Sequence, residues 1–434
     1  MQNTAARLLI LNAALTITAD PTMGEGLLGV RQGADVLIVG DSIARVGDGI
    51  RAAGARTIDA DGCIVMPGFV DVHDHLWQSL IRGRGADQEL PQWLAACVFA
   101  LAAATITREE SQAAVRIGAL SLATGGVTTV VDWSHTFNPA FTDGNIAALA
   151  DSGMRFVFGH SVYSPAMAEE AARIRLALAA LPRAMGLHVC SHPSLSLQSQ
   201  LETAAGFAGE HDLTLDVHFL EHQSQRADEP LAALRATGAV GRRLFLDHAV
   251  HATDAEIALL AEAGARVSHN PLSNLRLASG IMPLAKWHAA GAKVGLGLDG
   301  GTNDTPDMFN NMRVAVGLQR ALAKSVGTYP GVADALRMAT IGGAEALGLE
   351  DRIGSLTPGK LADVIVVDPS GVNFAPRGDL VSQLVFCGQP ANVRDVIVGG
   401  RVLKRCGRLA GVAVKEAVRD AERAAASVWG RARG

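Results

Sequence analysis

The sequence predicts an α/β fold, namely a (β/α)8 barrel of the TIM-barrel type with a small β-sandwich domain built from both chain ends. Two observations lead to this prediction. Short apolar runs alternate with longer Ala- and Leu-rich helical runs through the middle of the chain, as successive strand–helix units do. Short strand-like segments with turn signals occupy both ends of the chain. We expect a composite β domain from 1–65 and 362–410, a (β/α)8 barrel over 66–361 and a C-terminal helix over 411–434.

The N-terminal segment has the pattern of short strands. Apolar residues stand at every second position from Leu9 to Ile17, which predicts one strand with a buried face. Two further apolar runs flank Gly40 and Asp41 and predict a hairpin. Arg7 before an apolar stretch also fits a weak signal peptide, but the alternation favours the strand. We therefore expect a cytoplasmic protein.

The middle of the chain contains eight apolar runs separated by helical patterns. The predicted barrel strands are Ile64–Val72, Val127–Trp133, Arg155–Gly159, Met185–Val189, Leu213–Val217, Arg243–Leu246, Ala265–Ser268 and Lys293–Leu298. The predicted helices between them are Arg108–Ala123, Gly144–Asp151, Pro165–Ala180, Gln198–Glu210, Ala227–Ala236, Asp254–Ala263 and Asp307–Lys324. Eight strand–helix units in this order are typical of a (β/α)8 barrel.

The C-terminal segment returns to short strands. Gly399 and Gly400 stand between two apolar runs and predict a two-residue hairpin. Neither this segment nor the N-terminal one has enough strands to be stable alone, so we expect both to share one β domain. The tail after residue 411 has the Ala-rich, charged pattern of a helix.

Composition excludes several classes of protein. The chain has 38 basic and 43 acidic residues and a net charge of −5, and only 4% of its residues are aromatic, so a nucleic-acid binder is not expected. Five cysteines without a CxxC pair argue against a disulfide framework and a structural zinc finger. The longest apolar run, from Leu94 to Ala104, is too short to cross a bilayer.

Polar residues follow the predicted strands at the points where the strands end. All 13 histidines lie between positions 73 and 288. The polar residues at predicted strand ends are His73, His75, Asp132, His135, His160, Cys190, His192, His218, Glu221, Asp247, His248, His269 and Asp299. The carboxyl ends of barrel strands form the active-site face. Any single one of these histidines is better explained as a core or surface residue, but the whole set favours a functional site.

Three short motifs contain the candidate metal-binding and proton-transfer residues. In His73-Asp74-His75 the two imidazoles lie on the same face of a strand, about 7 Å apart at Cα, and can bind one divalent ion. Glu221 lies three residues after His218, on the rim, where it is either a proton carrier or a surface glutamate. Asp299 follows an apolar strand and either binds a cation or caps the next turn.

The motifs together resemble one known family. HExxH, P-loop, GxSxG and PCxxC patterns do not occur. The segments VMPGFVDVHDHLWQSLIRG, VHFLE, LDHAVHATDAEIALLAEAGARVSHNPLSNLRLASG, GLGLDGG and ATIGGAEALGLEDRIGSLTPGKLADVIVVD occur in the order and spacing of the amidohydrolase superfamily. The resemblance covers nearly the whole chain and is strongest to the aminohydrolase branch, which includes guanine deaminase, adenosine-type deaminases and s-triazine hydrolases.

This resemblance implies a metal site and roles for its residues. A single divalent ion, usually Zn²⁺ with Fe²⁺ as the alternative, would be bound by His73, His75, His218 and Asp299. The ion would lower the pKa of a bound water from about 16 toward 7, and Asp299 would accept the proton. Glu221 would be the proton carrier, and His248 would contact the water or the tetrahedral intermediate. The fourth strand has no lysine, which argues against a two-metal site.

The resemblance implies hydrolytic deamination of an aminated purine, pyrimidine or s-triazine, with release of ammonia. The alternative is hydrolysis of another C–X bond, as in dechlorination or N-alkyl amine removal, or of a cyclic amide at the same metal site. A non-catalytic scaffold would lack some of the ligands, and none is missing here. We expect a small heterocyclic substrate, no nucleic-acid or membrane partner, and a homo-oligomer, either a dimer or a tetramer.

The segment after the first strand is expected to contact the substrate. Gln78 lies three residues past His75, and the corresponding residue of guanine deaminase is also Gln and faces the substrate. Its amide offers a donor and an acceptor to a heterocycle edge. Trp77 and Trp93 are expected to be apolar walls, and Arg82 a further donor. The alternative for Gln78 is that it bonds only to loop backbone groups.

Overall fold

The structure is a computed structural model that describes residues 6–300 and 305–432. Its described elements alternate between strands and helices through the middle of the chain, with short strands near both ends. None of the described helices is both long and apolar enough to cross a membrane.

The strands are numbered in chain order. They are β1 (Arg7–Leu11), β2 (Leu15–Ile17), β3 (Val30–Gln32), β4 (Asp35–Val39), β5 (Ser42–Gly47), β6 (Arg56–Asp59), β7 (Ile64–Pro67), β8 (Phe69–Asp74), β9 (Val127–Ser134), β10 (Arg155–Ser161), β11 (Ala184–Ser191), β12 (Thr214–Phe219), β13 (Leu244–His248), β14 (Arg266–His269), β15 (Lys293–Leu296), β16 (Asp363–Val367), β17 (Val393–Val398), β18 (Arg401–Arg405) and β19 (Arg408–Leu409).

The helices follow the same convention. The α-helices are α1 (Leu90–Trp93), α2 (Ala100–Ala102), α3 (Arg108–Thr124), α4 (Pro139–Ser152), α5 (Pro165–Ala179), α6 (Gln198–Glu210), α7 (Pro230–Ala236), α8 (Asp254–Glu262), α9 (Pro271–Arg276), α10 (Leu284–Ala289), α11 (Met308–Ala323), α12 (Val332–Met338), α13 (Ile341–Leu347), α14 (Leu380–Cys387) and α15 (Val414–Ala432). A π-helical stretch, Leu94–Phe99, joins α1 to α2. The 3-10 helices are Leu76–Ile81, Gln223–Asp228, Val372–Phe374 and Pro390–Asn392.

The barrel prediction is confirmed. Strands β8 to β15 form one eight-stranded sheet in sequence order, and helices connect its parallel strands. The sheet is nearly closed: the Asp299 N–H, just beyond β15, donates to the His73 carbonyl of β8 at 2.9 Å. Side chains that follow these strands therefore meet at one end of the barrel.

Two mixed sheets come from the chain ends, as the sequence predicts. One has the strand order β5-β4-β1-β6, and the other β19-β18-β17-β16-β7-β2-β3. Side chains of both sheets share one apolar core, which includes Val36, Ile38, Val65, Val364 and Ile397. The second sheet joins N-terminal and C-terminal strands through the antiparallel pairing of β7 with β16.

Contacts between Cα atoms divide the chain into two compact units. The first contains the described residues as far as Val70, together with Ser121–Thr129 and Asp307–Val412. The second contains Asp71–Leu120 and the described parts of Val130–Pro306 and of the chain from Ala413 onward. The predicted domain limits near residues 65 and 362 remain a prediction.

Two predicted strands are each divided in the structure. The run Ile64–Val72 is split at Gly68 into β7, in a chain-end sheet, and β8, in the barrel. The N-terminal alternation from Leu9 to Ile17 is split near Asn12, whose φ is 63°, so that β1 and β2 belong to different sheets. Periodicity cannot reveal either break, because the residues on both sides are equally apolar.

The C-terminal helix packs beside the segment that follows β8. In α15, the Trp429 Nε1 donates to the Leu80 carbonyl at 3.1 Å, and the Arg84 guanidinium lies 4.0 Å from the Trp429 ring centroid. Arg431 pairs with the carboxylate of Glu110 in α3. These contacts hold the turn after β8, which carries the candidate site residue Gln78, against a long helix.

Gly68→Ala is expected to lower the free energy of unfolding by about 1–3 kcal/mol, the usual cost of overpacking a well-filled site. A Cβ at Gly68 would lie 2.1 Å from the Cγ2 of Thr128, whose side chain is buried. Gly47→Ala is the matched control, since a Cβ there meets no atom within 4 Å. Chemical denaturation of both variants measures the difference, and equal stabilities would contradict the steric account.

Candidate metal centre and active-site cavity

Two imidazoles of the predicted site project from β8 and the residue after it. His73 and His75 stand two residues apart, so strand alternation directs both side chains to the same face. Their ring centroids are 4.8 Å apart, and both rings are buried. The His73 Nε2 and the His75 Nε2 lie 3.2 and 3.4 Å from the same oxygen, Asp299 Oδ1.

His218, near the end of β12, completes the cluster from across the barrel. Its Nε2 lies 3.3 Å from the His75 Nε2. The His218 ring stacks on His75 with centroids 5.3 Å apart and meets the edge of Trp133 at 4.6 Å. The ring centroid of His248, which ends β13, also lies 5.3 Å from that of His218. The structure therefore brings four predicted site histidines to one point.

The seam of the barrel is the place where the segment after β15 meets β8. Backbone hydrogen bonds across this seam fix the position of Asp299. Three consecutive N–H groups, of residues 298 to 300, donate to the strand on the far side of the seam. Leu298 donates to the Asp71 carboxylate at 3.0 Å, Asp299 to the His73 carbonyl, and Gly300 to the Asp74 carboxylate at 3.2 Å. Asp74, in the middle of the HxH motif, thus supports the turn after β15 and belongs to neither group of possible metal ligands among the described residues.

Two site residues have left-handed backbone conformations. The φ of Asp299 is 57° and that of His248 is 70°. Residues with a Cβ rarely adopt such angles, and they persist only where the surrounding structure imposes them. The Ser273 hydroxyl donates to Asp299 Oδ2 and restrains the carboxylate as well.

Hydrogen bonds on the outer side of the rings orient the imidazoles. The His75 Nδ1 lies 2.7 Å from the Trp133 carbonyl, which can only accept, so Nδ1 carries the proton. The His73 Nδ1 faces the Asp247 carboxylate at 3.0 Å. The His248 Nδ1 faces the Asn274 Oδ1 at 2.9 Å. The Asn270 Nδ2 also lies 3.3 Å from the His248 Nδ1, so these contacts assign a tautomer to His75 alone. Its Nε2 lone pair points inward, the arrangement in which outer hydrogen-bonding groups orient metal-binding histidines.

Burial keeps the imidazoles of His75, His218 and His248 neutral; it also disfavours the charged form of His73, but the carboxylates of Asp247 and Asp299 outweigh it and raise the pKa of His73 well above its usual value. Burial lowers the pKa of His75 to about 3 and that of His248 to about 4, and it holds the pKa of His218 well below its usual value. Nearby histidines lower the pKa values of His75 and His218 further. A neutral imidazole is the form that binds metal ions.

The donor set fits a divalent metal ion. His73, His75 and His218 form one group of possible ligands, and His73, His248 and Asp299 form a second that overlaps with it; within each group the ligand atoms lie within 4.8 Å of one another. Nitrogen and carboxylate donors in a buried cluster are the ligands that Zn²⁺ prefers. The Nε2 atoms of His73, His75 and His218 converge with the Asp299 carboxylate, and a divalent cation among them would take the place of the His73 proton.

Glu221 lies beside the cluster as a buried carboxyl group. Its Oε2 is 3.7 Å from the His248 Nε2, and its backbone N–H donates to the Gln225 Oε1 at 2.7 Å. Burial, and then the charge of Asp299, raise the pKa of Glu221 well above its usual value. Burial also disfavours the charged form of Asp299, but His248 and His73 outweigh it and hold the pKa of Asp299 below its usual value. The two carboxyl groups thus have opposite protonation preferences.

The cluster lies at the floor of a cavity of about 550 Å³. Gln78 and Trp93, two of the residues that the sequence predicts to contact the substrate, line this cavity. Trp77 and Arg82 do not appear among its described lining residues. Instead, Trp77 is fully buried and donates from Nε1 to the His135 Nδ1 at 2.9 Å. Its place behind His135 makes it a support for the cavity wall rather than part of its surface.

Several residues that line the cavity have no role assigned from the sequence. They include Trp133, Tyr163 and, in the helical segment 90–102, Leu90, Leu94, Val98 and Phe99. His135 and His192, which follow β9 and β11 and which the sequence places at strand ends without an individual role, line the cavity as well. The π-helical stretch Leu94–Phe99 gave no positional signal, because its sequence is only a short apolar run; π-helical turns are frequent at functional sites.

Comparison with known proteins agrees with this geometry. Residues 64–403 match the model of the amidohydrolase family. The chain is 32% identical over 445 residues to a 5-methylthioadenosine/S-adenosylhomocysteine deaminase of Natronomonas pharaonis, covering 98% of this chain and 97% of the relative. It is 31% identical over 440 residues to a 5'-deoxyadenosine deaminase of Methanothermobacter thermautotrophicus, covering 96% and 100%.

Solved structures share the fold over nearly the whole chain. An adenosine deaminase from Xanthomonas campestris with bound zinc superposes with a TM-score of 0.88 at 29% identity, covering 98% of this chain and 99% of that one. A zinc-containing atrazine chlorohydrolase from Arthrobacter aurescens has a TM-score of 0.88 at 24% identity, covering 96% and 100%, and supports the fold alone. With its family match, its relatives and its cluster of histidines and Asp299, the chain belongs to the amidohydrolase family.

Proposed function

We propose that the protein is a hydrolytic deaminase that removes the exocyclic amino group of an adenine-type nucleoside and releases ammonia. The observation that carries the proposal is the convergence of three Nε2 atoms and one carboxylate beside a second, protonated carboxyl group at the floor of the cavity. Relatives at 31–32% identity over nearly the full chain are deaminases of such nucleosides. That agreement favours deamination over loss of another leaving group.

His73, His75, His218 and Asp299 would hold one divalent ion, and zinc is the ion in the related adenosine deaminase. When bound, such an ion supplies Lewis acidity that lowers the pKa of a coordinated water from about 16 to about 7. The protein supplies the ligand geometry and a floor that excludes bulk water, because every one of these side chains is buried.

The two carboxyl groups, Glu221 and Asp299, have different roles in proton transfer. The raised pKa of Glu221 keeps its proton in place for donation to the ring nitrogen next to the amino-bearing carbon. Asp299 stays ionised and accepts the proton of the attacking water. Opposite environments for two neighbouring carboxyl groups are the usual basis of acid and base roles at neutral pH. Water adds to the ring carbon, the amino group leaves as ammonia after protonation, and the ring keeps an oxo group.

His248 and Gln78 are proposed to position the reacting ring. The His248 Nε2 points toward Glu221 and Asp299, where a hydrogen bond to the added oxygen is within reach. Gln78 is buried, lines the cavity and offers both a donor and an acceptor to the heterocycle edge. The small-molecule substrate is consistent with the cavity volume, which falls in the usual range for such ligands. A homo-oligomeric state remains a prediction.

One tightly bound divalent ion per chain is expected, and His218→Ala should lose it because one of the converging nitrogens is removed. Elemental analysis of purified protein measures the ion content. His160→Ala is the matched control, since His160 is also a buried histidine near a strand end but belongs to neither ligand group among the described residues. Two ions per wild-type chain, or an unchanged content in His218→Ala, would contradict the proposed site.

Glu221→Gln is expected to keep the fold and the metal but to lose about 10²–10⁴ in kcat, the usual contribution of a positioned acid or base. The amide has the shape of the carboxyl group and cannot donate its proton to the ring. Steady-state ammonia release, metal content and melting temperature are measured together. Glu210→Gln, at an exposed position at the end of α6, is the control, and near-wild-type turnover of Glu221→Gln would assign the proton transfer to another group.

Gln78→Leu is expected to leave metal content and melting temperature unchanged and to lower kcat/KM by roughly 10–100-fold, the value of one or two buried hydrogen bonds. The loss should be larger for a substrate with an amino or oxo group at the edge that Gln78 faces than for an analogue without it. Equal losses for the two substrates would show that Gln78 supports the loop and does not contact the ring.

A further inference from the structure

The cavity walls differ in character from its floor. The floor contains the buried imidazoles, Glu221, Asp299 and Gln78. The outer wall, as we name it, is apolar and consists of Leu90, Trp93, Leu94, Val98, Phe99 and Leu195. Five of these six residues come from the continuous helical segment Leu90–Ala102.

The outer wall leads from the buried interior to solvent. Trp93 and Val98 are buried, whereas Phe99 is 49% exposed and Leu195 is 58% exposed. Large apolar side chains left in water beside a cavity are a mark of a ligand-contacting surface. A substituent that reaches outward from a ring held at the floor would therefore lie against aromatic and aliphatic groups.

Formal charge is confined to one end of the cavity. Glu221 and Asp299, both near the candidate metal site, are the acidic side chains among the described lining residues, and no lysine or arginine is among them. The remaining polar side chains of the cavity lining are imidazoles, hydroxyls and amides, among them those of His192, Tyr163 and Gln200, and burial lowers the pKa of His192 to about 4. A carboxylate on the substrate would lose its hydration here without gaining a cationic partner, which is costly.

We propose that the substrate is an aminated heterocycle whose substituent is uncharged and apolar, and that the outer wall selects it over one that carries a free carboxylate. The inference rests on the proposed deamination and narrows its substrate. Among adenine nucleosides, a methylthio group fits these requirements, because thioether sulfur packs well against aromatic rings such as those of Trp93 and Phe99. The amino-acid tail of S-adenosylhomocysteine does not fit them.

The test compares kcat/KM of the metal-loaded full chain for methylthioadenosine, adenosine and S-adenosylhomocysteine by ammonia release. Methylthioadenosine is expected to exceed each of the other two by roughly 10-fold or more, the scale on which apolar pockets discriminate. A value for S-adenosylhomocysteine equal to or above that for methylthioadenosine overturns the inference and leaves the proposed deamination standing. Release of ammonia from none of the three overturns the proposed function, and the inference with it.

A pair of variants tests whether the outer wall is the cause. Leu195→Arg places a cation on the wall and is expected to raise the ratio of kcat/KM for S-adenosylhomocysteine to that for methylthioadenosine by about 10-fold, as expected for a new ionic contact worth about 1.4 kcal/mol. Leu197→Arg is the matched control: Leu197 is 70% exposed, two residues away, and outside the described cavity lining. Equal changes in the two variants would show a general effect of charge and overturn the assignment to the wall.

Discussion

The site depends on one constraint, the seam at which the segment after the last barrel strand is hydrogen-bonded to the first. Asp299 can meet His73 and His75 only if the segment after β15 turns back beside β8. Successive N–H groups from Leu298 to Gly300 are bonded to Asp71, the His73 carbonyl and Asp74, and this fixes that turn. The left-handed backbone of Asp299 is tolerated because its neighbours on both sides are held.

A layer of buried polar side chains lies behind His73, on the side of its Nδ1. The Asp247 carboxylate faces the His73 Nδ1, Asp216 contacts Asp247, and the His188 Nδ1 lies 2.7 Å from the Asp216 Oδ2. Barrel interiors are usually filled with branched aliphatic side chains, and buried charges are costly unless paired. Burial accordingly raises the pKa of Asp247, and that of Asp216 is lowered only because His188 and its other partners outweigh the same effect. A polar layer of this kind fixes the direction of the His73 ring, at a cost that metal binding at the opposite nitrogen can offset.

The sequence predicted those parts of the site that follow from local rules. Strand alternation put His73 and His75 on one face, and the order of strands put His218, His248 and Asp299 at the same end of the barrel. The bonds that orient these residues were beyond prediction, because they join groups as far apart in sequence as Asp71 and Leu298, separated by 227 positions. Local reasoning also cannot decide which of two neighbouring side chains faces a cavity: of Trp77 and Gln78, Gln78 is among the described lining residues, whereas Trp77 donates to His135.

The floor and the outer wall of the cavity have different chemical roles. The floor, with its converging nitrogens and two carboxyl groups of opposite protonation, can activate water against any electrophilic ring carbon, so it does not by itself choose the leaving group. Selection must come from groups that meet the rest of the substrate, and an apolar surface discriminates weakly between sizes but strongly against an unpaired charge. The outer wall is built on an irregular helical segment and a surface residue, Leu195, rather than on barrel strands. Substitutions there can change the substrate without disturbing the seam that holds Asp299, because the wall and the seam share no hydrogen bond among the described residues.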